Sequence, residues 1–447
     1  MAWWLTLNLQ FVFGMGLDKF DAVVVGAGPG GSAAALTMAR EGLNVALLER
    51  GETPGAKNVF GGVLYKWPLC DLIPNFWDKA PLERRVFDHR MVLLSEQGAF
   101  TLSYRDPYLG EEARGGYTAL RSRFDQWLAG QAEEAGASLI TGMPVTDVIM
   151  DKGRVVGVRT GEGRENEVYG DVVIAADGVN STVLRKAGIR SVPDPDRVAL
   201  GVKEVVELPS ETIEARFNVK KGYGVRMEFF GSVTKGKAGG GFVYTNSNSL
   251  SVGVAILLSH LIELKIKPYE LLDSFKAHPF VAPLVEGGKS KEYQAHLIPE
   301  GGYQSIPPLA SKGVLAVGDA AMLCLYPEGT NMAIGSGMLA GRVAASAKKK
   351  GDFSDAALSE YAALMEKGYI IKEHKRKKNY HSVMTSGDRF FSAYPEMVSE
   401  MMRKILVVDG IDKSTKHKDA RREIRERVGY LRLLRDLYGD IWSVLPW

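Results

Sequence analysis

The chain has 447 residues, of which 45% are hydrophobic and 24% charged, and its formal net charge is +3. This composition suits a globular protein with an ordinary core, and the near-balanced charge gives no reason to expect a nucleic-acid partner. The two cysteines, Cys70 and Cys324, are too few for a four-cysteine iron–sulfur cluster, and the seven histidines show no metal-ligand spacing, so we predict no bound metal.

Residues 1–17 form an apolar N-terminal extension that Thr6, Asn8 and Gln10 interrupt. The extension lacks the basic start of a signal peptide. No apolar run in the chain reaches the ~18 residues of a membrane-spanning helix. Three interpretations remain open: an added edge strand, an anchor at a membrane interface, or an upstream translation start that is rarely used.

A strand–turn–helix–strand unit follows the extension. Residues 21–26 are a short β-branched run typical of a buried strand, and residues 32–41 predict a helix that ends at Gly42. Residues 44–49 then predict a second, parallel strand, and 51–62 a glycine-rich loop. The order is that of a βαβ unit.

The turn of this unit reads GAGPGG, with Gly26, Gly28, Gly30 and Gly31. In such a turn the first glycine allows the tight bend, the second lets a pyrophosphate approach the backbone, and the last allows the helix to pack closely on the strand. Glu49, about 20 residues further on at the end of the second strand, suits a ribose hydroxyl. The pattern therefore predicts dinucleotide binding.

The middle of the chain predicts strands over 86–104, a helix over 123–135, and a strand and hairpin over 138–160. A further buried strand, 171–177, leads through Asp177 and Gly178 to a predicted helix. By itself this second motif is adequately explained as an ordinary turn between a strand and a helix.

The segment 198–258 is strand-rich, with the composition of an antiparallel sheet. After it, the strand pattern over 313–318 ends at Gly318 and Asp319, where a carboxylate can bind a ribityl chain or can cap a helix. The predicted helix 331–348 begins after Gly329 and Thr330, and its backbone N–H groups, with that of Asn331, could stabilise negative charge on a reduced flavin.

These three motifs in this order resemble the glutathione-reductase-like flavoproteins. The segments 54–58 (PGAKN) with Gly61 and Gly62, 298–303 (IPEGGY) and 327–331 (PEGTN) look more narrowly like the electron-transfer-flavoprotein–quinone oxidoreductase family, FixC-type subunits included. The resemblance covers roughly residues 18–379. It implies an FAD cofactor that takes electrons from an electron-transfer flavoprotein and passes them to a membrane quinone.

The resemblance also sets the expected site. Arg121, in the segment LRSRFD, is expected at the cofactor on this ground. The flavin performs the redox chemistry and the protein supplies binding and electrostatics, so no catalytic side chain is predicted. The residues expected to bind FAD are Gly26, Gly28, Gly30, Gly31, Glu49, Arg50, Asn58, Gly61, Gly62, Arg121, Asp177, Gly178, Gly318, Asp319, Gly329, Thr330 and Asn331.

The expected fold class is α/β: a glutathione-reductase-like two-dinucleotide FAD fold with an inserted antiparallel-sheet substrate domain and a helical C-terminal tail. The flavin motifs flank the strand-rich block, which is why the dinucleotide fold is expected to be interrupted. The predicted boundaries are 1–17 for the extension; 18–81, 121–195 and 301–350 for the FAD-binding domain; 82–120 and 196–300 for the quinone domain; and 351–447 for the helical region.

Single-chain enzymes of this family end in a ferredoxin-like domain with a cysteine cluster. Two cysteines fit the FixC-type arrangement instead, in which a small ferredoxin-like iron–sulfur partner carries the cluster. The resemblance thus implies a complex with the electron-transfer flavoprotein subunits, and it leaves open whether that complex also bifurcates electrons. The alternatives are a geranylgeranyl-reductase-like enzyme that saturates prenyl double bonds, and a relay subunit active only within its complex.

The tail combines apolar and basic residues at helical spacing. A helix packed on its own core and a helix that docks on a membrane surface or partner explain the pattern about equally well. With the second interpretation we predict a peripheral protein on the cytoplasmic face of the membrane. The apolar stripe is Ala420, Ile424, Val428, Leu431, Leu434, Tyr438 and Ile441, and Trp442 and Trp447 follow.

Overall fold

The computed structural model describes residues 19–56, 61–163, 166–386 and 388–436. Three of the predictions fall outside these residues and stay predictions. They concern the extension 1–17, the cofactor contact of Asn58, and the end of the tail from Tyr438 to Trp447.

The strands belong to two large sheets. In chain order they are β1 Phe20–Val25, β2 Val45–Leu48, β3 Gly61–Leu64, β4 Leu82–Leu94, β5 Ala99–Arg105, β6 Tyr117–Leu120, β7 Ser138–Ile140, β8 Asp147–Asp151, β9 Arg154–Arg159, β10 Glu167–Ala175, β11 Val198–Glu207, β12 Tyr223–Gly231, β13 Gly239–Thr245, β14 Ser249–Leu257, β15 Lys289–Pro299, β16 Ala310–Ser311 and β17 Val314–Ala316.

The helices are concentrated after the last strand. In chain order they are α1 Pro29–Arg40, α2 Leu69–Leu72, α3 Pro107–Gly110, α4 Arg121–Glu134, α5 Thr182–Lys186, α6 Ser210–Phe217, α7 Leu258–Leu264, α8 Pro268–Ala277, α9 Ala282–Val285, α10 Thr330–Lys350, α11 Asp355–Leu358, α12 Glu360–Lys367, α13 Tyr369–Arg376, α14 Tyr380–Ser386, α15 Asp388–Phe391, α16 Ala393–Leu406, α17 Lys413–Arg427 and α18 Tyr430–Arg435.

The first sheet has the order β16-β17-β10-β1-β2-β7, with the β8–β9 hairpin paired to β10. Strands β17, β10, β1, β2 and β7 are parallel, so their carboxyl ends share one edge. Val25 pairs with both Leu48 and Ala175, and Ala175 pairs with Ala316. The three predicted motifs begin just after these residues, which places them side by side at the edge where α/β proteins bind ligands.

Glycines allow α1 to pack closely on the sheet and on α10. A Cβ at Gly31 would lie 1.9 Å from the Gly26 carbonyl oxygen, and a Cβ at Gly337 would lie 2.1 Å from the Gly30 oxygen. A Cβ at Gly341 would lie 2.8 Å from the Ala34 oxygen. Side chains at these positions would force the helices apart, so the close packing depends on glycine.

The second sheet has the order β15-β11-β14-β13-β12-β4-β6-β3, with β5 on β4. It is antiparallel, as predicted, except for one parallel pair, β12 on β4, in which Phe229 lies opposite Val92. Parallel neighbours need a long connection, and here the chain between β4 and β12 passes through strands β7 to β10 of the first sheet. The fold class is confirmed: a two-part α/β fold with a helical C-terminal region.

The predicted apolar stripe of the tail does not lie on one helix. Helix α17 ends at Arg427 and α18 begins at Tyr430, and Gly429 between them has φ +79°. Ala420 and Val428 are buried, whereas Leu431 is 86% exposed. The stripe therefore splits into a packed part and an exposed part. Within the described ranges, none of the helices combines the length and apolarity needed to cross a membrane.

Candidate functional site

A cavity of about 500 Å³ lies between the carboxyl edge of the parallel sheet and one face of the second sheet. The glycine turn after β1 and the start of α10 line one end. Strands β11 to β14 contribute the opposite wall. The cavity thus joins the two sheets that the sequence predicted as cofactor and substrate parts.

Most of the predicted cofactor contacts meet in this cavity. Gly31, Gly62 and Asn331 do not line it, although Gly31 allows the close packing described above, and the cofactor contact of Gly61 stays a prediction. The predicted residues that do line it are Gly26, Gly28, Gly30, Glu49, Arg50, Arg121, Asp177, Gly178, Gly318, Asp319, Gly329 and Thr330.

The glycine turn leaves room for a ligand at one position in particular. Gly26 has φ +101°, and a Cβ there would lie 2.4 Å from the Ala176 oxygen, so the bend requires glycine. At Gly28 a Cβ would meet, among the described atoms within 4 Å, the Arg121 Nη2 at 3.6 Å. This glycine therefore borders open cavity beside the N-terminus of α1, as a pyrophosphate site requires.

Glu49 is held in place at the edge of the cavity by backbone donors. The Ala27 N–H donates to its Oε2 (N···O 3.0 Å) and the Gly51 N–H donates to its Oε1 (2.8 Å). Both oxygens keep further acceptor capacity, because a carboxylate oxygen accepts more than one hydrogen bond. This geometry fits the predicted ribose contact.

Arg121 approaches the glycine turn from the start of α4. Its Nε and Nη2 donate to the two oxygens of the buried Asp125 carboxylate, both at 2.6 Å. Burial alone would lower the pKa of Arg121, but the charge and hydrogen bonds of Asp125, together with the charges of Asp319 and Glu49, outweigh burial and raise the pKa. A fixed, fully charged guanidinium next to Gly28 suits an anionic phosphate.

Asp319 follows β17 and lies in the single turn Gly318–Ala321. The N-cap of that turn is Val317, so Asp319 does not cap it. Burial raises the pKa of Asp319 to about 6, against the lowering effect of Arg121 and Arg190. A buried carboxylate is costly without hydrogen-bond donors, and ribityl hydroxyls would provide them.

Asp177 has a different role in the structure. Its Oδ1 accepts a hydrogen bond from Ser181 Oγ (2.6 Å), and its Oδ2 accepts one from the Val183 N–H (3.0 Å). The carboxylate therefore holds the turn into α5. For this side chain the ordinary-turn interpretation describes the observed contacts, while Asp177 and Gly178 still border the cavity.

The N-terminus of α10 faces the cavity through Gly329 and Thr330. Asn331 points elsewhere: its side-chain amide donates to Glu328, whose other oxygen accepts from Tyr369 Oη at 2.7 Å. The helix has 21 residues, and its first N–H groups have no partners within the helix. This end of the cavity is thus suited to a reduced, negatively charged isoalloxazine ring.

The other end of the cavity was not predicted from the sequence. Arg226 donates to Glu228 Oε1 through Nε (3.0 Å) and through Nη2, and to Tyr65 Oη through Nη1 (3.1 Å). Phe230, Phe242, Tyr244, Tyr326, Met384 and Phe391 also line this end. Consecutive residues of β12 are buried on both faces, so no alternation in the sequence marks the inward-facing ones.

Two basic side chains on the sheet wall, Lys203 and His296, were also not predicted from the sequence. Burial, with a smaller contribution from the Arg121 charge, lowers the pKa of Lys203 to about 8 and that of His296 to about 4. In the part of the chain that the structure describes, no group of three or more His, Cys, Asp or Glu side chains is arranged to hold a metal ion.

These residues fit FAD. The open space at Gly28, the two helix N-termini, the fixed Glu49 carboxylate and the Asp319 carboxylate match the pyrophosphate, ribose and ribityl groups in their order along the molecule.

Three family models match the chain. The model of FAD-dependent oxidoreductases matches residues 21–196, and the ubiquinone-binding model of ETF-QO matches 198–298. The C-terminal domain model of the ETF-QO/FixC family matches 380–443.

Several curated relatives are similar over nearly their whole length. Protein FixC of Bradyrhizobium diazoefficiens is 42% identical over 426 residues, which are 94% of this chain and 98% of the relative. Protein FixC of Escherichia coli strain K12 is 41% identical with the same coverage.

Solved structures share the fold. A geranylgeranyl bacteriochlorophyll reductase-like protein from Thermoplasma acidophilum superposes with a TM-score of 0.68 at 24% identity, covering 94% of this chain and 99% of that one. The flavin-dependent brominase Bmp2 gives a TM-score of 0.60 at 16% identity, covering 92% of this chain and 100% of that one. At these identities the likeness establishes fold alone.

Proposed function

The chain belongs to the ETF-QO/FixC family of FAD-dependent oxidoreductases, and from this premise we propose that it accepts electrons from an electron-transfer flavoprotein and passes them to a membrane quinone. The predictions of family, FAD cofactor and oxidoreductase class are confirmed by these matches. The ubiquinone-binding match likewise supports the predicted quinone.

The observation that carries the proposal is the continuity of the cavity. It runs from Gly28, at the cofactor end, to Phe242 and Tyr244 on the sheet within residues 198–298, the segment that matches the ubiquinone-binding model. FAD, when bound, supplies the two-electron chemistry. The chain's own residues bind it, orient it and place an apolar, aromatic wall beside it for a flat quinone ring.

We further propose partners for this relay. The sequence holds two cysteines, both free, so a cluster of the four-cysteine type would be carried by a separate ferredoxin-like protein. The donor would be the paired subunits of an electron-transfer flavoprotein. In such a complex, electron bifurcation between a high-potential and a low-potential acceptor is the activity to test next.

A quinone-reduction assay with a cavity variant tests the proposal. We expect the FAD-loaded protein to reduce a short-chain ubiquinone analogue when reduced electron-transfer flavoprotein is supplied. Ala255 lines the sheet wall, so Ala255→Leu should fill quinone space. Losing contacts worth about 1.4 kcal/mol or more would raise the KM for quinone at least about tenfold, while flavin content stays full.

Ala356→Leu, at an exposed position, is the matched control and should behave as wild type. The alternative, saturation of prenyl double bonds, receives no support beyond a shared fold from the 24% identical structure. A protein that reduces geranylgeranyl chains, and gives no flavoprotein-dependent quinone reduction, would establish that alternative instead.

We also propose that the protein binds a membrane surface peripherally, on the cytoplasmic face. The end of α16 and its connection to α17 expose apolar side chains: Val408 is 98% exposed, and Leu406 and Ile411 are also exposed. Basic side chains flank them, with Arg403 and Lys413 at the adjoining helix ends. Apolar tips bordered by cations suit the headgroup boundary of an anionic bilayer.

Liposome flotation tests this surface. Leu406→Ser with Val408→Ser removes two apolar side chains, each worth roughly 1.5–3 kcal/mol when fully buried, so binding to anionic vesicles should fall more than tenfold. Each nearby basic residue contributes about 1 kcal/mol, so binding should also weaken at high salt. Val192→Ser, exposed and remote in sequence, is the control. Unchanged flotation of the double variant would place the membrane contact elsewhere.

A further inference from the structure

A half-buried carboxyl group and a buried tyrosine form a pair that borders the cavity close to its cofactor end. Tyr380 Oη donates to Glu300 Oε2 at 2.8 Å, and both residues line the cavity. Tyr380 is 3% exposed. Packing against Phe230 and Leu257 explains the position of Tyr380 but not why a carboxyl group lies beside it in the cavity wall.

Glu300 and Tyr380 lie next to a second pair, His381 and Asp196, whose side chains are partly exposed to solvent. The Glu300 N–H donates to the Arg197 carbonyl oxygen (2.9 Å), which brings the neighbouring Asp196 to this turn. A Cβ at Gly302 would lie 3.8 Å from His381 Cβ. His381 Nε2 lies 3.5 Å from Asp196 Oδ2, and these side chains are 18% and 47% exposed.

The two ring nitrogens of His381 lie in different surroundings. Its Nε2 is near the surface carboxylate, whereas its Nδ1 is buried and has no hydrogen-bond partner among the described residues. An imidazole can accept a proton at one nitrogen and release one at the other, which makes histidine the usual proton carrier near neutral pH. His381 lies on α14 and is placed against the 300–302 turn by its approach to Gly302.

We propose that Glu300, held by Tyr380, donates protons to the bound quinone, and that His381 and Asp196, beside the same turn, form the path by which Glu300 regains protons from solvent. The inference rests on the proposed quinone reduction. Each quinone takes two electrons, supplied by the reduced flavin, and two protons, one on each oxygen, to form the quinol. The flavin returns to its oxidised state, and the electron-transfer flavoprotein re-reduces it.

The environment of Glu300 gives its carboxyl group a pKa suited to donating protons near neutral pH. Burial raises the pKa of Glu300 to about 7, opposed by the Tyr380 hydrogen bond and by Lys377, and supported by the Asp319 charge. Cys324 also faces the group, and burial raises the pKa of that thiol as well. Glu300 is therefore protonated below neutral pH, and quinone reduction should slow as the pH rises through about 7, where the donor loses its proton.

Three variants test the path in the FAD-loaded protein. Glu300→Gln keeps an acceptor for Tyr380 but has no acidic proton to release, so quinone reduction should fall about 100-fold, the low end for a lost general acid, and the pH limb near 7 should vanish. Tyr380→Phe and His381→Ala should each slow reduction, and added imidazole should rescue the histidine variant alone. Reduction of ferricenium ion, which takes electrons without protons, should be unchanged in all three.

Infrared difference spectroscopy gives a readout that does not depend on activity. The wild-type protein should show a carboxylic-acid band that titrates near pH 7, and Glu300→Gln should lack it. Glu286→Gln, at an exposed position, should keep both the band and the rate. If wild type reduces quinone and Glu300→Gln keeps its rate and pH profile, or the band is absent, the path is wrong. If wild type gives no flavoprotein-dependent quinone reduction, the proposed function fails while the titrating band still tests Glu300.

Discussion

Replacing Gly28 with valine should give a folded but colourless protein. Gly28 has φ −74° and ψ −178°, an extended conformation that valine adopts readily. A Cβ there would approach Arg121 Nη2 at 3.6 Å, an ordinary contact, so folding should not suffer. The added methyl groups instead occupy the space beside the N-terminus of α1 where the pyrophosphate binds. Losing more than about 3 kcal/mol of binding corresponds to over 100-fold lower FAD affinity.

The measurement pairs the flavin-to-protein absorbance ratio with a melting curve of the flavin-free protein. Gly130→Val is the matched control, because a Cβ at Gly130 meets no described atom within 4 Å and the residue is remote from the cavity. That variant should stay yellow. A Gly28→Val protein with full flavin content would contradict the assignment of the glycine turn to the pyrophosphate.

The glycine turn shows what the sequence could predict. GAGPGG between a β-branched run and a helix was enough to place four glycines at the end of a strand, because the local geometry depends on neighbouring residues. The pattern does not separate their roles in the structure. Gly26 and Gly31 are required by close backbone contacts, whereas Gly28 borders open cavity.

The second sheet was predicted less completely. Strands β3 and β6 have four residues each, and β3 begins inside a segment predicted as loop. Strand β15 carries mixed polar and apolar residues along its length and pairs with β11, about 90 residues earlier in the chain. Short or edge strands of this kind form because partners far away in sequence supply their hydrogen bonds. The local sequence of such a strand therefore does not predict it.

The residues of the cavity wall were not predicted from the sequence for the same reason. Glu300 and Tyr380 are separated by 80 residues, and Arg226 meets Tyr65 across 161. Each of these residues alone has an ordinary structural interpretation. A shared role can be inferred only because the fold brings these residues to one cavity. The flavin motifs, in contrast, can be recognised from a few consecutive residues.

The buried pair of Arg226 and Glu228 should show the largest effect on stability. The side chains are 6% and 10% exposed, and the Glu228 charge and nearby tyrosine hydroxyls raise the pKa of Arg226 despite its burial. Arg226→Met would leave the Glu228 carboxylate buried without its cation. Breaking a buried pair in this way costs about 3–5 kcal/mol of unfolding free energy.

A double variant separates the ion pair from the space it fills. Arg226→Met with Glu228→Leu removes both charges, and an apolar pair of similar volume is often neutral or stabilising, so most of the lost stability should return. The pair also lies in the wall of the proposed quinone site, where the Arg226 guanidinium, with five N–H groups, has donors left for a quinone oxygen. We therefore expect the double variant to bind FAD normally in absorbance assays and to require at least about tenfold more quinone for half-maximal rate, a loss of about 1.4 kcal/mol. Recovery of stability together with an unchanged KM for quinone would show that the pair serves the sheet and not the ligand.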